Sequence, residues 1–219
     1  MTITYDDIKH RLRPPLDCAD IKDLRGLYFY NRLIVNYENT DFTGCVLYRC
    51  FPSGFAGAVD INPAHSREDV TLVGADLKGA NLQGADLQEA NLEGANLEGA
   101  NLQGVNLQGA DLKGARLTIA DLRGADLKGA DLKGAKLLDA NLINAELMLA
   151  NLGGAKLTYA NLIRADLRET NLRGAKFDMA KLYGANLRGA KYNSNTDILY
   201  HIDRSQKDSM IFVEEDEEY

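Results

Sequence analysis

From Val70 to Tyr192 the chain repeats a five-residue phrase, read as Ala, Asp or Asn, Leu, variable, Gly. Leucine holds the third place at every step from Leu72 to Leu187 except one, where Phe177 stands. Five steps around an α-helix advance a side chain by roughly 140°, so these leucines would spiral around the axis instead of forming a stripe. A continuous strand alternates with period two, so an odd repeat would throw successive leucines onto opposite faces. The chain must therefore turn once in every phrase.

Within a phrase, Ala and Leu lie two residues apart and point the same way, while the Asp or Asn between them points oppositely. Ala and Leu go inward and the polar residues outward. Gly follows in the fifth place at most phrases, as at Gly74, Gly79, Gly84, Gly94 and Gly99, where it supplies the positive φ of a tight turn. The product is a coil with a corner at each phrase and a column of leucine down its middle. Each buried Leu contributes roughly 1.5 to 3 kcal/mol, so an inward charge should disrupt its coil.

Phrases such as Ala75-Asp76-Leu77-Lys78-Gly79 and Ala80-Asn81-Leu82-Gln83-Gly84 resemble the pentapeptide-repeat family, abundant in cyanobacteria, and the resemblance runs without a gap from Val70 to Tyr192. It implies an all-β fold, a right-handed quadrilateral parallel β-helix (a solenoid) with four phrases per turn; the period alone does not decide the number of sides. On such a fold, residues twenty apart stack on one face at about the 4.8 Å spacing of neighbouring strands.

The rest of the chain reads as caps, an insert and a tail. Residues 1–34 are expected to form a short helical N-terminal cap followed by extended chain. Thr4 starts one helix that Pro14-Pro15 stops, Asp17 caps a second ending at Gly26, and Leu27 to Tyr37 is rich in aromatic and β-branched residues. Residues 35–51 form a degenerate first coil, with Tyr37, Phe42 and Leu47 in the leucine frame. Half of the sixteen aromatic residues lie between Tyr28 and Phe55, bulkier filling for this end. Residues 52–69, with Pro52, Gly54, Gly57 and Pro63, form an inserted loop in which Phe55 is a candidate contact. The regular β-helix covers 70–192, and 193–219 form a C-terminal cap and an acidic tail, Glu214 to Glu218. Asn193 and Thr196 resemble the closing signature of many relatives.

The net charge of −7 does not describe the repeat, because residues 70–192 hold 14 acids and 15 bases while 193–219 hold 8 acids and 2 bases. Cys18, Cys45 and Cys50 are an odd set without CxxC spacing, which points to a reducing compartment. No basic start with an apolar run follows Met1, and no stretch is apolar enough to span a bilayer; a cytoplasmic protein without membrane association is expected.

Chemistry is not expected. Residues 70–192 contain no His, Cys or Ser, so the repeat offers no nucleophile with a neighbouring base, and no catalytic residue is assigned. His10, His65 and His201 have no ligand spacing, the glycines hold a fixed period in place of a phosphate-binding fingerprint, and neither metal nor cofactor is expected. Asp111 and Asp131, one turn apart, read as part of a solvated ladder with Asn91, Asn151 and Asn171.

The outward places are more informative. Every twentieth residue gives Arg116, Lys136, Lys156 and Lys176 where the phrase normally has Asp or Asn. On the same face Ile119, Tyr159 and Met179 replace the corner glycine, with Leu138 and Thr118 beside them. Stacked like charges are unfavourable, so this file suits docking of an acidic or amphipathic protein partner; the bland alternative is that Asp111 and Asp131 around the corner neutralise it. Leu138, Ile143, Met148 and Leu149 form a second apolar irregularity circling one turn.

Three functional readings follow: a non-catalytic scaffold for an unidentified protein partner, a DNA gyrase-interacting protein like the quinolone-resistance members of the family, and weak nucleic-acid binding through the basic file. The leucine-based, near-neutral coil speaks against the second, and four cations without arginine-rich loops against the third. The resemblance also implies either a monomer or a dimer through the C-terminal end, where Met210 to Val213 offer apolar surface.

Overall fold

The structure, a computed structural model, describes residues 72–198 and 202–214 and, before them, the backbone of five short strands. Twenty residues complete one coil: parallel bridges join Asp76 to Asn96, Asn81 to Asn101, Asp86 to Asn106 and Asn91 to Asp111, and so on down to Asn171 and Lys191. Four phrases of five thus make four walls. The first runs through Leu92, Leu112 and Leu132, the second through Leu97, Leu117 and Leu137, the third through Leu102, Leu122 and Leu142, and the fourth through Leu107, Leu127 and Leu147.

Each phrase ties itself to the next coil with its own backbone. Leu72 N–H donates to Asn91 O at 2.6 Å, Gly74 N–H to Glu93 O at 2.8 Å, and Asn96 N–H returns to Ala75 O at 2.9 Å. The corner closes when Ala75 N–H donates to Leu72 O at 3.0 Å. Gly74 takes φ +62° at the third residue of that turn, a region open to glycine and strained for most others. The same turn recurs at every corner of the regular coil.

The interior is a continuous column. Leucines from Leu72 to Leu187 are buried, as are the alanines around them and Phe177, which replaces one leucine. Thr170 takes an alanine place and donates its hydroxyl to Leu167 O at 2.7 Å, so its polar atom is satisfied inside. Outside, the Asp or Asn of each phrase accepts from the backbone N–H two residues on, as Asp76 Oδ1 does from Lys78 at 3.2 Å. On five rungs an Asn amide also donates to the residue stacked one coil before it, as Asn96 Nδ2 does to Asp76 Oδ1 at 2.9 Å.

At the C-terminal end, Asn193 and Thr196 are buried and close the coil. Gly174 N–H donates to both Asn193 Oδ1 and Thr196 Oγ1 at 3.0 and 3.1 Å, and the Thr196 hydroxyl donates to Leu172 O at 2.9 Å. Ile198 is buried beneath the column. A short helix, Arg204–Asp208, starts in a capping box between Asp203 and Gln206. The Gln206 amide donates to Leu182 O and Ala185 O at 3.1 and 2.9 Å, occupying carbonyls of the last coil. The final rung pairs Lys191–Tyr192 with Ile211–Phe212 in parallel. Met210, expected as free apolar surface, is instead half-buried against the core, leaving Ile211 and Phe212 exposed.

Near the N-terminus the strands Leu16–Asp17, Leu33–Val35 and Phe51–Pro52 form one parallel sheet, and Tyr28–Tyr30 pairs with Val46–Tyr48. Their registers, Leu16 to Ile34, Tyr28 to Val46 and Leu33 to Phe51, step by eighteen residues where the regular coil steps by twenty. Pro52, read as the start of the loop, closes a strand instead. The two expected helices within 1–34, the loop residue Phe55 and the acidic residues after Glu214 lie outside the described residues.

Candidate functional site

The second wall departs furthest from the pattern, with four successive cations in the Asp or Asn place, where among the described residues each other wall has a single departure, Lys191, Lys181 or Glu146. Arg116, Lys136, Lys156 and Lys176 occupy the Asp or Asn place on four successive rungs and are joined by parallel bridges. Their backbones are held as any other rung is, with Lys136 N–H donating to Ala115 O and Lys156 N–H to Ala135 O at 2.9 Å. All four side chains are exposed. Neighbouring rungs lie about 4.8 Å apart, so the file stacks like charges.

Two members have partners. Arg116 Nη2 lies 2.9 Å from Glu98 Oε2, and Lys176 Nζ donates to Asn195 O at 2.8 Å. Among the described residues Lys136 and Lys156 make no side-chain hydrogen bond or ion pair. The carboxylates expected to neutralise the file are engaged elsewhere: Lys113 Nζ lies 2.7 Å from Asp111 and 3.4 Å from Asp131, on their own wall. Burial raises the Asp111 pKa, but the hydrogen bonds and charge of Lys113 outweigh it and hold that carboxyl below the ordinary carboxylate range. Glu98, one place beyond the Leu of an earlier rung, is the acid that faces the file, although it does not share the file's place in the phrase. It is also 3.3 Å from Lys78, so it serves two cations.

Replacing Asp or Asn by a cation removes a bond as well as adding a charge. Where Asn91 stands, Oδ1 accepts from Glu93 N–H at 3.1 Å. A lysine has no acceptor to offer, and the N–H groups of Leu138 and Thr158 find no such side-chain acceptor.

The corner that follows this wall is equally out of pattern. Ile119, Asp139, Tyr159 and Met179 hold φ of 54°, 54°, 60° and 56° where glycine is usual. Ile119 is 60% exposed, Tyr159 53% and Met179 65%, so burial does not repay the conformation. For a β-branched residue such as Ile119 this region is an outlier, and the left-handed conformation costs roughly 1 to 2 kcal/mol for a residue with a Cβ. Leu138, also exposed, supplies the apolar group on the rung where Asp139 takes the corner.

The structure adds residues that the sequence reading missed. Ile143, Ile163 and Tyr183 fall in one file at the far corner of the third wall, and Tyr183 is 81% exposed. Reading the variable place of the phrase at a period of twenty would have found them. Of the circling apolar set, Leu149 is exposed and held at φ 64°, whereas Ile143 and Met148 are half-buried. Among the described residues there is no grouping of metal-ligating side chains, and no helix is long and apolar enough to cross a membrane.

These walls define the class: a repeat protein whose outward side chains are displayed in files along the faces of a coil. The family of pentapeptide repeats, described by a unit of eight copies, matches residues 80–118, 115–154 and 150–189. The chain belongs to the pentapeptide-repeat family, whose members fold as right-handed quadrilateral β-helices. Among solved structures it is similar to HetL, a pentapeptide repeat protein involved in heterocyst differentiation regulation from the cyanobacterium Nostoc sp. strain PCC 7120. That match has 34% identity, covers 77% of this chain and 86% of HetL, and has a TM-score of 0.39. A pentapeptide repeat protein of the Arabidopsis thaliana thylakoid lumen is 32% identical over 48% of this chain and 74% of its own, with a TM-score of 0.35. A trypsin-treated variant of QnrB1, a plasmid-mediated fluoroquinolone resistance protein, is 20% identical over 74% and 88%, with a TM-score of 0.32. No curated protein matches the chain.

Proposed function

We propose that this protein is a non-catalytic scaffold that docks a protein partner on the second wall and the corner after it. The observation that carries the proposal is the coincidence of three local costs on the same rungs. Like charges are stacked, the side-chain acceptor of each turn is given up, and at three of the four corners an apolar residue is held at positive φ in solvent. None of these helps the coil to fold, and strained, exposed positions of this kind concentrate where a surface is used.

The composition of the strip favours protein over nucleic acid. With Arg116 and Lys176 engaged, the two lysines of the file without partners among the described residues would give weak, salt-sensitive attraction to phosphate, since that attraction grows with the number of phosphates neutralised. Cations beside exposed Ile, Tyr and Met suit an acidic, partly apolar protein surface.

The test is photo-crosslinking in lysate of the native host, with the crosslinker placed at Tyr159 on the strip or at Gln108 on the opposite wall. A protein adduct at Tyr159 that is absent at Gln108, and lost on Lys136→Glu with Lys156→Glu, is the expected result. Equal adducts at both positions, or adducts indifferent to charge reversal, would overturn the docking assignment.

A further inference from the structure

The strip has a spacing as well as a composition, and the spacing selects the shape of what covers it. Four successive rungs each present one cation and, further along the same rung, one exposed apolar group: Arg116 with Ile119, Lys136 with Leu138, Lys156 with Tyr159, and Lys176 with Met179. The cations form one line, Ile119, Tyr159 and Met179 form a second along the corner, and on the Lys136 rung Leu138 lies one place before that corner, which Asp139 holds.

We infer that the occupant is an amphipathic α-helix of the partner, lying lengthwise along the coil axis, with its apolar stripe on the corner and acidic residues on the flank above the lysines. This rests on the docking reading above and adds the partner's secondary structure and charge pattern.

Two magnitudes decide between a helix and an extended segment. A helix repeats a face every 5.4 Å or so and the rungs repeat about every 4.8 Å, so a turn meets a rung with an error of about 0.6 Å, under about 2 Å after three steps. An extended chain repeats a face about every 6.8 Å and misses by about 2 Å at each step, roughly a whole rung by the third. Only the helix keeps one apolar and one acidic residue in step with all four rungs.

The length follows from the same spacing. Three rung steps span about 14 Å, which is about ten residues of helix at roughly 1.5 Å per residue. The helix therefore needs apolar residues at i, i+3 or i+4, i+7 and i+10 or i+11, each with Asp or Glu beside it on one flank only. The middle turns contribute most of the charge, because Lys136 and Lys156 are the members without partners among the described residues. The far corner, with Ile163 and Tyr183 exposed or half-buried, accepts apolar residues on the other flank.

Three synthetic fourteen-residue peptides test this by fluorescence anisotropy against the full chain. One carries Leu once per turn with Glu on a single flank, one permutes the same residues so that no stripe exists, and one has the stripe interrupted by two central prolines. The striped peptide is expected to bind at least tenfold more tightly than either control and to gain helical circular dichroism on binding. Replacing Ile119, Tyr159 and Met179 together by Gly should weaken that peptide at least tenfold without lowering the thermal midpoint, because glycine suits φ near +55°. Equal binding of the striped and permuted peptides, or undiminished binding to the glycine variant, would overturn the helix assignment. Preference for the proline peptide would overturn it in favour of an extended occupant. A short duplex DNA binding more tightly than any peptide would overturn it in favour of nucleic acid. If the peptide fails while the Tyr159 adduct persists, only the helix is wrong; if both fail, the docking wall falls with it.

Discussion

The first and second walls share one interior and one hydrogen-bond ladder, yet they treat their outward places in opposite ways. On the first wall Asp111, Asp131, Asn151 and Asn171 accept from backbone or neighbouring side chains, and Gly94, Gly114, Gly134 and Gly154 hold the corners at φ of 64° to 68°. Below Asn96 the second wall has cations in the former place, and Ile, Asp, Tyr and Met among the corners. A coil of this kind does not need its surface to be uniform. The leucine column supplies the stability, and single walls are then free to carry side chains that cost something locally.

The interior should not distinguish the walls. Leu132→Ala on the first and Leu137→Ala on the second are both expected to lower unfolding free energy by about 2 to 5 kcal/mol in urea titration. A cost on one wall only would break the comparison at its base.

Corners should distinguish them. Gly134→Ile, which copies the second wall's habit onto the first, is expected to cost roughly 1 to 2 kcal/mol by thermal or urea unfolding. No Cβ clash arises there, since nothing lies within 4 Å of the added atom, so the cost is conformational. Ile119→Gly removes that strain but also an exposed side chain, and should change stability by less. Gly134→Ile without effect would mean that positive φ is not strained here.

A smaller effect is expected from rebuilding the ladder. Lys136→Asn with Lys156→Asn restores an acceptor for the amides of Leu138 and Thr158 and relieves charge stacking, a gain of about 0.5 to 1.5 kcal/mol per restored bond. A melting point that fell with the double substitution would show that the lysines support the fold, contrary to the comparison.

The smallest difference is in acid. The Arg123 side chain holds the Asp121 carboxyl below the ordinary range and Arg168 does the same for Asp166, as Lys113 does for Asp111 against its burial. A carboxyl whose folded pKa lies below its unfolded value of about 3.9 adds stability above that pH, and the addition is lost as pH falls through the folded value. Urea midpoints between about pH 5 and pH 2 should therefore fall less steeply when all three are Asn, and an unchanged slope would show that these pairs do not carry the acid dependence. These groups are partly exposed, so solvent screens them and the effect stays small.

The coil was legible because its signal is local and repeated. Alternation within Ala-Asp-Leu sets inside and outside, a glycine every fifth residue sets the corner, and neither depends on distant contacts. The lines of Arg116 to Lys176 and of Ile119 to Met179 became legible once the family supplied four phrases per turn. What stayed hidden was whatever depends on how long side chains lean between rungs and places: Glu98 reaching Arg116, and Lys113 taking up the acids expected to neutralise the file. The eighteen-residue registers near the N-terminus were hidden as well, since there the phrase is too degraded to count by.

The order of residues alone determined that this chain turns every five residues, buries leucine and exposes the residue before it, because strand alternation and turn chemistry act over a few bonds. The tertiary structure decided which cations find partners among the described residues and which apolar corners share one edge. Those outcomes depend on groups about twenty residues apart being brought to neighbouring heights, where charge and reach through space replace distance along the chain.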